Sequence, residues 1–178
     1  LFGFKETELL LNISAHIGSL FAVTFFFKDE IINFGRNKKL FFKVIAASLP
    51  LFIFGYITVS YNLIPNLRTY EIVGWTTIVF GILLFFADKF NSNKNIKKHF
   101  TKKNAVIIGC FQVLAIIPGV SRSGIVMTGA RILNFKREDA AKISFLLSIP
   151  ALSGTGIYGV YALAEKNDTF LNLQSILT

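Results

Sequence analysis

Apolar residues fall in long uninterrupted runs separated by short polar segments rich in lysine. A helix needs roughly 20 apolar residues to cross the hydrocarbon layer of a membrane. Four runs reach that length, at residues 9–27, 41–60, 72–87 with its flanks, and 143–163. The last is softened by Pro150 and by Ser153, Gly154, Gly156 and Gly159, small residues that let neighbouring helices approach closely. A fifth apolar stretch, 105–117, is too short to cross: thirteen helical residues reach about 20 Å against a core of about 30 Å. It leads into Pro118-Gly119-Val120-Ser121-Arg122-Ser123-Gly124, and a second short apolar run, 125–133, follows.

The polar segments orient these runs. Residues 28–43 carry five basic groups, Arg36 among them, against Asp29 and Glu30, and residues 88–103 carry six lysines against Asp88. Residues 131–142 hold Arg131, Lys136, Arg137 and Lys142 against Glu138 and Asp139. Segments 1–8, 61–71 and 164–178 are neutral or slightly acidic. An excess of Lys and Arg marks cytoplasmic loops, so the three basic segments are assigned inside and the other three outside. With both flanks of 105–135 basic, the economical reading is a re-entrant hairpin that enters from the cytoplasm, turns and returns; one long broken helix that crosses is the alternative. The hairpin also gathers Tyr56, Tyr61, Tyr70, Trp75, Tyr158 and Tyr161 on one side. The expected fold is an all-α integral membrane protein, a single multi-span helical domain over residues 1–178.

Composition narrows the function classes. Of 178 residues, 53% are hydrophobic and 16% charged, and 20 are Phe. Soluble domains carry roughly 25% charged residues, so a soluble enzyme, a disordered chain and a disulfide scaffold are excluded. The net charge of +9 would suggest nucleic acid in a soluble protein; here it follows the loops between spans, and no nucleic-acid partner is expected. The lysine-rich stretch Lys94–Lys103 reads as a solvated loop near anionic headgroups. Without a basic region ahead of its first apolar run, the sequence shows no signal peptide and reads as an internal piece of a longer protein.

The candidate chemistry lies in the hairpin turn. Arg122 is its only charge, and no acid occurs between Lys102 and Glu138. An arginine at membrane depth costs roughly 2.5–3.5 kcal/mol or more and usually has a partner and a function. Guanidinium forks suit phosphate oxygens. Gly119 and Gly124 permit backbone conformations that expose N–H groups, Ser121 and Ser123 offer hydroxyls, and the N-terminus of the following helix favours an anion. The other reading is a plain turn, with Arg122 bonded to backbone carbonyls. Asn12, His16 and Ser19 form a polar stripe at i, i+4, i+7, more readily an interhelical packing contact than a catalytic site. Gln112 is expected to face inward and pack. No metal-ligand spacing occurs, and no His follows Arg122 as a PAP2-type lipid phosphatase would require.

At these residues the chain resembles the undecaprenyl-diphosphate phosphatase, or bacitracin-resistance, family. Ile108-Gly109-Cys110-Phe111-Gln112 leading into Pro118–Gly124 is similar to its second signature, and Ser144–Ala151 to its Ser-Phe-Leu-Leu-x-x-Pro block. His16–Val23 is similar to an upstream family helix. The resemblance implies a multi-pass enzyme of the bacterial inner membrane, its active site toward the outer side, that removes the terminal phosphate of undecaprenyl diphosphate and so recycles the lipid carrier for cell-wall synthesis. It implies inverted repeats, incomplete here, and a divalent cation, Mg or Ca, with ligands expected before Leu1. Its partners are a polyprenyl diphosphate and membrane lipids, with room for a homodimer. Arg122 and Ser121 map to catalytic positions, and Ser123, Gly119, Gly124 and His16 to substrate binding. Val126 stands where many members have Thr, and the family's first signature, Glu-x-x-x-Glu followed by Ser-Ser-x-Gly-His, is absent. The chain would then hold half an active site and be inactive alone. A transporter or flippase for an anionic lipid or solute is the rival function, and an assembly protein with a structural Arg122 is the third.

Overall fold

In the computed structural model, which describes residues 2–32, 38–61, 63, 67–90 and 92–176, the apolar runs are helices and no strand occurs among the described residues. The order is α1 (Phe2–Phe26), α2 (Lys28–Ile32), α3 (Lys38–Ser60), α4 (Tyr70–Asp88), α5 (Ile96–His99), α6 (Lys102–Val113), a 3₁₀ turn (Leu114–Ile116), α7 (Arg122–Ile132) and α8 (Arg137–Ile176). Arg36, in the first basic segment, lies outside the described residues. Three helical stretches are long and apolar enough to cross a membrane: Lys38–Ser60, Tyr70–Asp88 and Arg137–Gly159. In α1 the apolar part is Ser14–Phe26. The fold class expected from the sequence, an all-α membrane protein, is the one observed.

Local sequence sets where these helices begin. Thr69, Asn95, Thr101 and Ser121 are N-caps of α4, α5, α6 and α7, each with extended backbone and a side-chain oxygen that accepts from an N–H of the first turn. Such caps satisfy donors that a helix start leaves without partners. Pro50 and Pro150 lie inside α3 and α8; in a helix enclosed by apolar surroundings the freed carbonyls are met by neighbouring groups.

The chain forms two compact units, Leu1–Phe26 with Ile149–Thr178, and Phe27–Ser148. The first holds α1 and the part of α8 from Ile149 onward, where Ser153 and Thr155 bond carbonyls of their own helix. The second holds everything that positions the turn. Within it α3 packs along α6, α4 along α7, and α6 folds back on α7. The two open ends of this α6–α7 hairpin meet: Phe100, just before α6, and Phe135, just after α7, sit edge to face at 6.2 Å between centroids. Both arms therefore start and finish on one side. At about 18 Å and 16 Å of helix, neither is long enough to traverse a ~30 Å layer.

Much of the outer surface of α4 is apolar and exposed, with Trp75, Ile78, Val79, Ile82, Phe85 and Phe86 uncovered. Exposed apolar surface on this scale needs lipid or another protein against it. The core lies on the hairpin side, where Ala105, Ile108, Ile125, Val126, Ala130, Ile143, Leu146 and Leu147 are buried.

Gly109 fixes the α3–α6 approach. A Cβ there would overlap the Ala47 carbonyl oxygen and lie 2.9 Å from its carbon, both backbone atoms. Gly55, also helical, has open space where its Cβ would stand. Gly109→Ala is therefore expected to lower stability by about 1–3 kcal/mol, as overpacking does. Gly55→Ala should leave it unchanged or raise it by up to about 1 kcal/mol through helix propensity. Unfolding of the two variants in detergent, followed by circular dichroism, checks the contrast.

Candidate functional site

The turn between the hairpin arms is built from the motif Pro118–Gly124. Gly119 has φ +90°, a left-handed conformation open to glycine. Its Cβ position is also closed: a methyl there would overlap Thr76 Oγ1 and stand 2.6 Å from the Val73 carbonyl oxygen. The turn thus presses directly on α4, and α4 meets it with hydroxyls. Thr76 Oγ1 lies 2.6 Å from the Pro118 carbonyl oxygen and 2.7 Å from Ile72 O in its own helix, so its one proton is shared between them. Thr77 Oγ1 lies 3.1 Å from the Gly119 carbonyl and 2.7 Å from Val73 O in its own helix.

These contacts place the turn along α4. Thr76 is twelve residues from Asp88, the residue at the other end of α4 that meets the far end of α7. Twelve residues make about 18 Å of helix. The turn accordingly sits well along α4, far from the basic end.

From the turn the chain enters α7. Ser121 caps it, its Oγ accepting from Gly124 N at 3.2 Å and lying 3.2 Å from Ser123 Oγ. The intrahelical ladder starts at Ile125 N, bonded to Ser121 O at 2.9 Å, so the N–H groups of Arg122 and Ser123 precede it. Ser144 Oγ of α8 donates to Ser123 O at 3.2 Å and holds the first turn of α7 against α8. Ser121 and Ser123 are exposed, and Arg122 and Gly124 are half-buried. Two adjacent hydroxyls, an arginine and two backbone N–H groups therefore gather at one helix N-terminus, which carries partial positive charge.

Arg122 and Arg131 stand nine residues apart on α7 and differ in how the protein treats them. Arg131 is 6% exposed. Its Nη1 donates to Phe135 O at 2.9 Å, its Nη2 to Asp88 O at 2.6 Å and to Phe90 O at 2.9 Å, and its Nε is 3.1 Å from Asp88 Oδ1. Arg122 has one long contact, Nη1 to Ser148 O at 3.5 Å, and no ion pair among the described residues. The plain-turn reading needs Arg122 to be satisfied by carbonyls as Arg131 is. Its guanidinium donors remain instead largely uncommitted.

The structure brings Gly119, Ser121, Arg122, Ser123 and Gly124 together. His16 is exposed on α1, in the other unit. Gln112 is fully buried in α6, as expected, and neither of its amide atoms has a hydrogen-bond partner among the described residues. Sequence reasoning missed Thr76 and Thr77 altogether; two adjacent hydroxyls in an apolar run were the available signal. Ser144 and Ser148 entered it only through the family block, and Arg131 only as a loop charge. Among the described residues no group of three His, Cys, Asp or Glu side chains converges as a metal site.

The comparisons agree with the motif. The family model described as bacitracin resistance protein BacA matches residues 1–177. A protein of Pelagibacter ubique named undecaprenyl-diphosphatase is 43% identical over 158 residues, covering 88% of this chain and 62% of that relative. Relatives of the same name from Saccharophagus degradans and Alteromonas mediterranea are 39% and 38% identical, each covering 94% of this chain and 68% of the relative. The chain thus spans about two thirds of the length of these relatives.

The Thr76 hydroxyl is expected to stabilise the turn measurably. Thr76→Val, which keeps the shape and removes the donor, should cost about 0.5–1.5 kcal/mol, the range found for hydrogen bonds between membrane helices. Thr76→Ser should retain most of it. Thermal unfolding in detergent of the two variants checks this.

Proposed function

The chain belongs to the bacitracin resistance protein BacA family, and from that membership we propose that the complete protein hydrolyses undecaprenyl diphosphate to undecaprenyl phosphate and inorganic phosphate. Water supplies the oxygen, the bond between the terminal phosphorus and the bridging oxygen breaks, and the lipid monophosphate leaves. The observation that carries this reading is the contrast on α7: both Nη groups of Arg131 are bonded to backbone carbonyls and its Nε lies 3.1 Å from the Asp88 carboxylate, whereas Arg122, beside two hydroxyls at the helix N-terminus, has one long contact.

In this reading Arg122 is a catalytic residue that grips the diphosphate and offsets charge developing on the transferred phosphoryl group. Ser121, also assigned as catalytic, and Ser123 offer hydroxyls to the phosphoryl oxygens. Gly119 and Gly124 shape the backbone so that the N–H groups of Arg122 and Ser123 face the same anion. His16 joins the substrate-binding set on the family resemblance alone. The donor set here does not suit a divalent cation, and we place the ligands of the cation that the family implies in the part of the relatives not covered by this chain.

We further propose that α6 and α7 form a re-entrant hairpin in the bacterial inner membrane, entered from the cytoplasmic side, with the turn open to the outer side. The supporting observations are the joined open ends at Phe100 and Phe135 and the short arms. A turn about 18 Å along α4 from Asp88 lies beyond the middle of a ~30 Å layer.

The test is phosphate release from a long-chain prenyl diphosphate by the complete protein in detergent. Arg122→Ala is expected to lower turnover by about 10²–10³-fold, the usual loss on removing one transition-state donor. Arg122→Lys should recover little of it, because a lysine lacks the planar fork. Near-full turnover in the lysine variant would sink the bidentate role. A folded complete protein that binds the lipid without releasing phosphate would favour the carrier.

A further inference from the structure

At the opposite end of α7 from the proposed catalytic turn, two clefts meet at Asp88, Arg131 and Arg137. The first, of about 520 Å³, is polar and is also lined by Lys89, Lys136 and Glu138. The second, of about 370 Å³, runs on from it between α4, α7 and α8 and is lined by Leu84, Phe85, Met127 and Ala140. We infer that this continuous groove is a binding site for an anionic phospholipid, its phosphodiester in the basic limb and an acyl chain in the apolar limb.

The charges of the groove carry the first half of the inference. Four cations face two carboxylates, and Asp88 is already spent: Arg137 grips both its oxygens and Arg131 Nε stands 3.1 Å away. Arg131 is itself occupied by three carbonyls and forms part of the floor. With Glu138 counted against the rest, two positive charges remain in excess, and the cations not engaged with Asp88 or with carbonyls are exposed Lys136 and Lys89, whose Nζ lies 4.4 Å over the Phe85 ring. That ammonium stands where the basic limb passes into the apolar one. A singly charged phosphodiester complements this surplus.

The second half is continuity. An inorganic phosphate would fill only the basic limb and leave Leu84, Phe85 and Met127 uncovered. A phospholipid covers both, and the site lies at the end of the bundle where the basic segments cluster, the level at which headgroups stand. The inference requires only that the chain lies in a bilayer, and it is independent of the phosphatase reading. Competing occupants are inorganic phosphate and those parts of the complete protein that this chain does not cover.

Native mass spectrometry of the complete protein from micelles containing equal phosphatidylglycerol and phosphatidylcholine tests the inference. The wild type should retain phosphatidylglycerol in preference. The Lys136→Gln/Arg137→Gln double variant should lose that retention by about tenfold or more, each basic residue near a headgroup contributing about fivefold. Lys97→Gln/Lys98→Gln, at the same end of the bundle but outside the groove, should change nothing. Gly81 lines the apolar limb and has open space at its Cβ position, so Gly81→Leu should fill that limb without strain and weaken lipid retention several-fold. Equal losses in both lysine-bearing pairs would reduce the effect to general electrostatics and overturn the site. Retention untouched by the groove variants would mean that the protein's own segments cover it. Displacement of the lipid by millimolar inorganic phosphate, with Gly81→Leu without effect, would mark a free-anion site instead. Arg122→Ala should leave lipid retention intact whether or not it abolishes phosphate release.

Discussion

A backbone that bends away from water must find donors for the carbonyls it frees, and the Thr76 hydroxyl stands 2.6 Å from the Pro118 carbonyl to supply one. The arms of the α6–α7 hairpin are short, and its turn rests against α4. Gly119, having no Cβ, both takes its positive φ and lets the turn press on α4 with no side chain between them. The N-terminus of α7, where the serines and Arg122 stand, is placed by the contacts of the turn with Val73, Thr76 and Thr77 in the first half of α4 and by Ser144 of α8 on Ser123.

The other end of α7 is fastened differently. Arg131 draws together Asp88 at the end of α4, Phe90 after it and Phe135 after α7, and Arg137 at the start of α8 closes on the same Asp88 carboxylate. Lys94 exchanges backbone hydrogen bonds with Asn134 and Lys136, and Asp139 accepts from Ile96 N. The loop after α4 is thereby stitched to the turn after α7. A buried arginine is costly unless its donors are met; here both Nη groups bond carbonyls and the Asp88 carboxylate lies 3.1 Å from Nε.

One helix therefore carries two arginines with opposite functions. Arg131 is consumed by the fold, while Arg122, about 13–14 Å further along the helix, has donors left over beside two hydroxyls and a helix N-terminus. Uncommitted donors in a low-dielectric setting bind an arriving anion strongly because little must be broken first. This also separates the two anion sites proposed on α7. The turn offers a fork without a counter-ion, whereas the groove at Asp88 offers surplus charge around an ion pair and an apolar extension for a chain.

The sequence by itself determined the helical class, because runs of apolar residues near 20 long have few other stable uses. It also determined the turn and its motif, because Gly119, Ser121, Arg122, Ser123 and Gly124 act through neighbours in the chain: a left-handed glycine, a cap and the donors of one helix start. The shortness of both hairpin arms was legible for the same reason. What only the tertiary structure decided are contacts across many tens of residues. Thr76 under Pro118, Gly109 against Ala47, and Asp88 between Arg131 and Arg137 bear no fixed spacing in sequence, so no period reveals them. Nor does composition tell which arginine of α7 is satisfied, since that depends on which carbonyls fold back within reach of its donors.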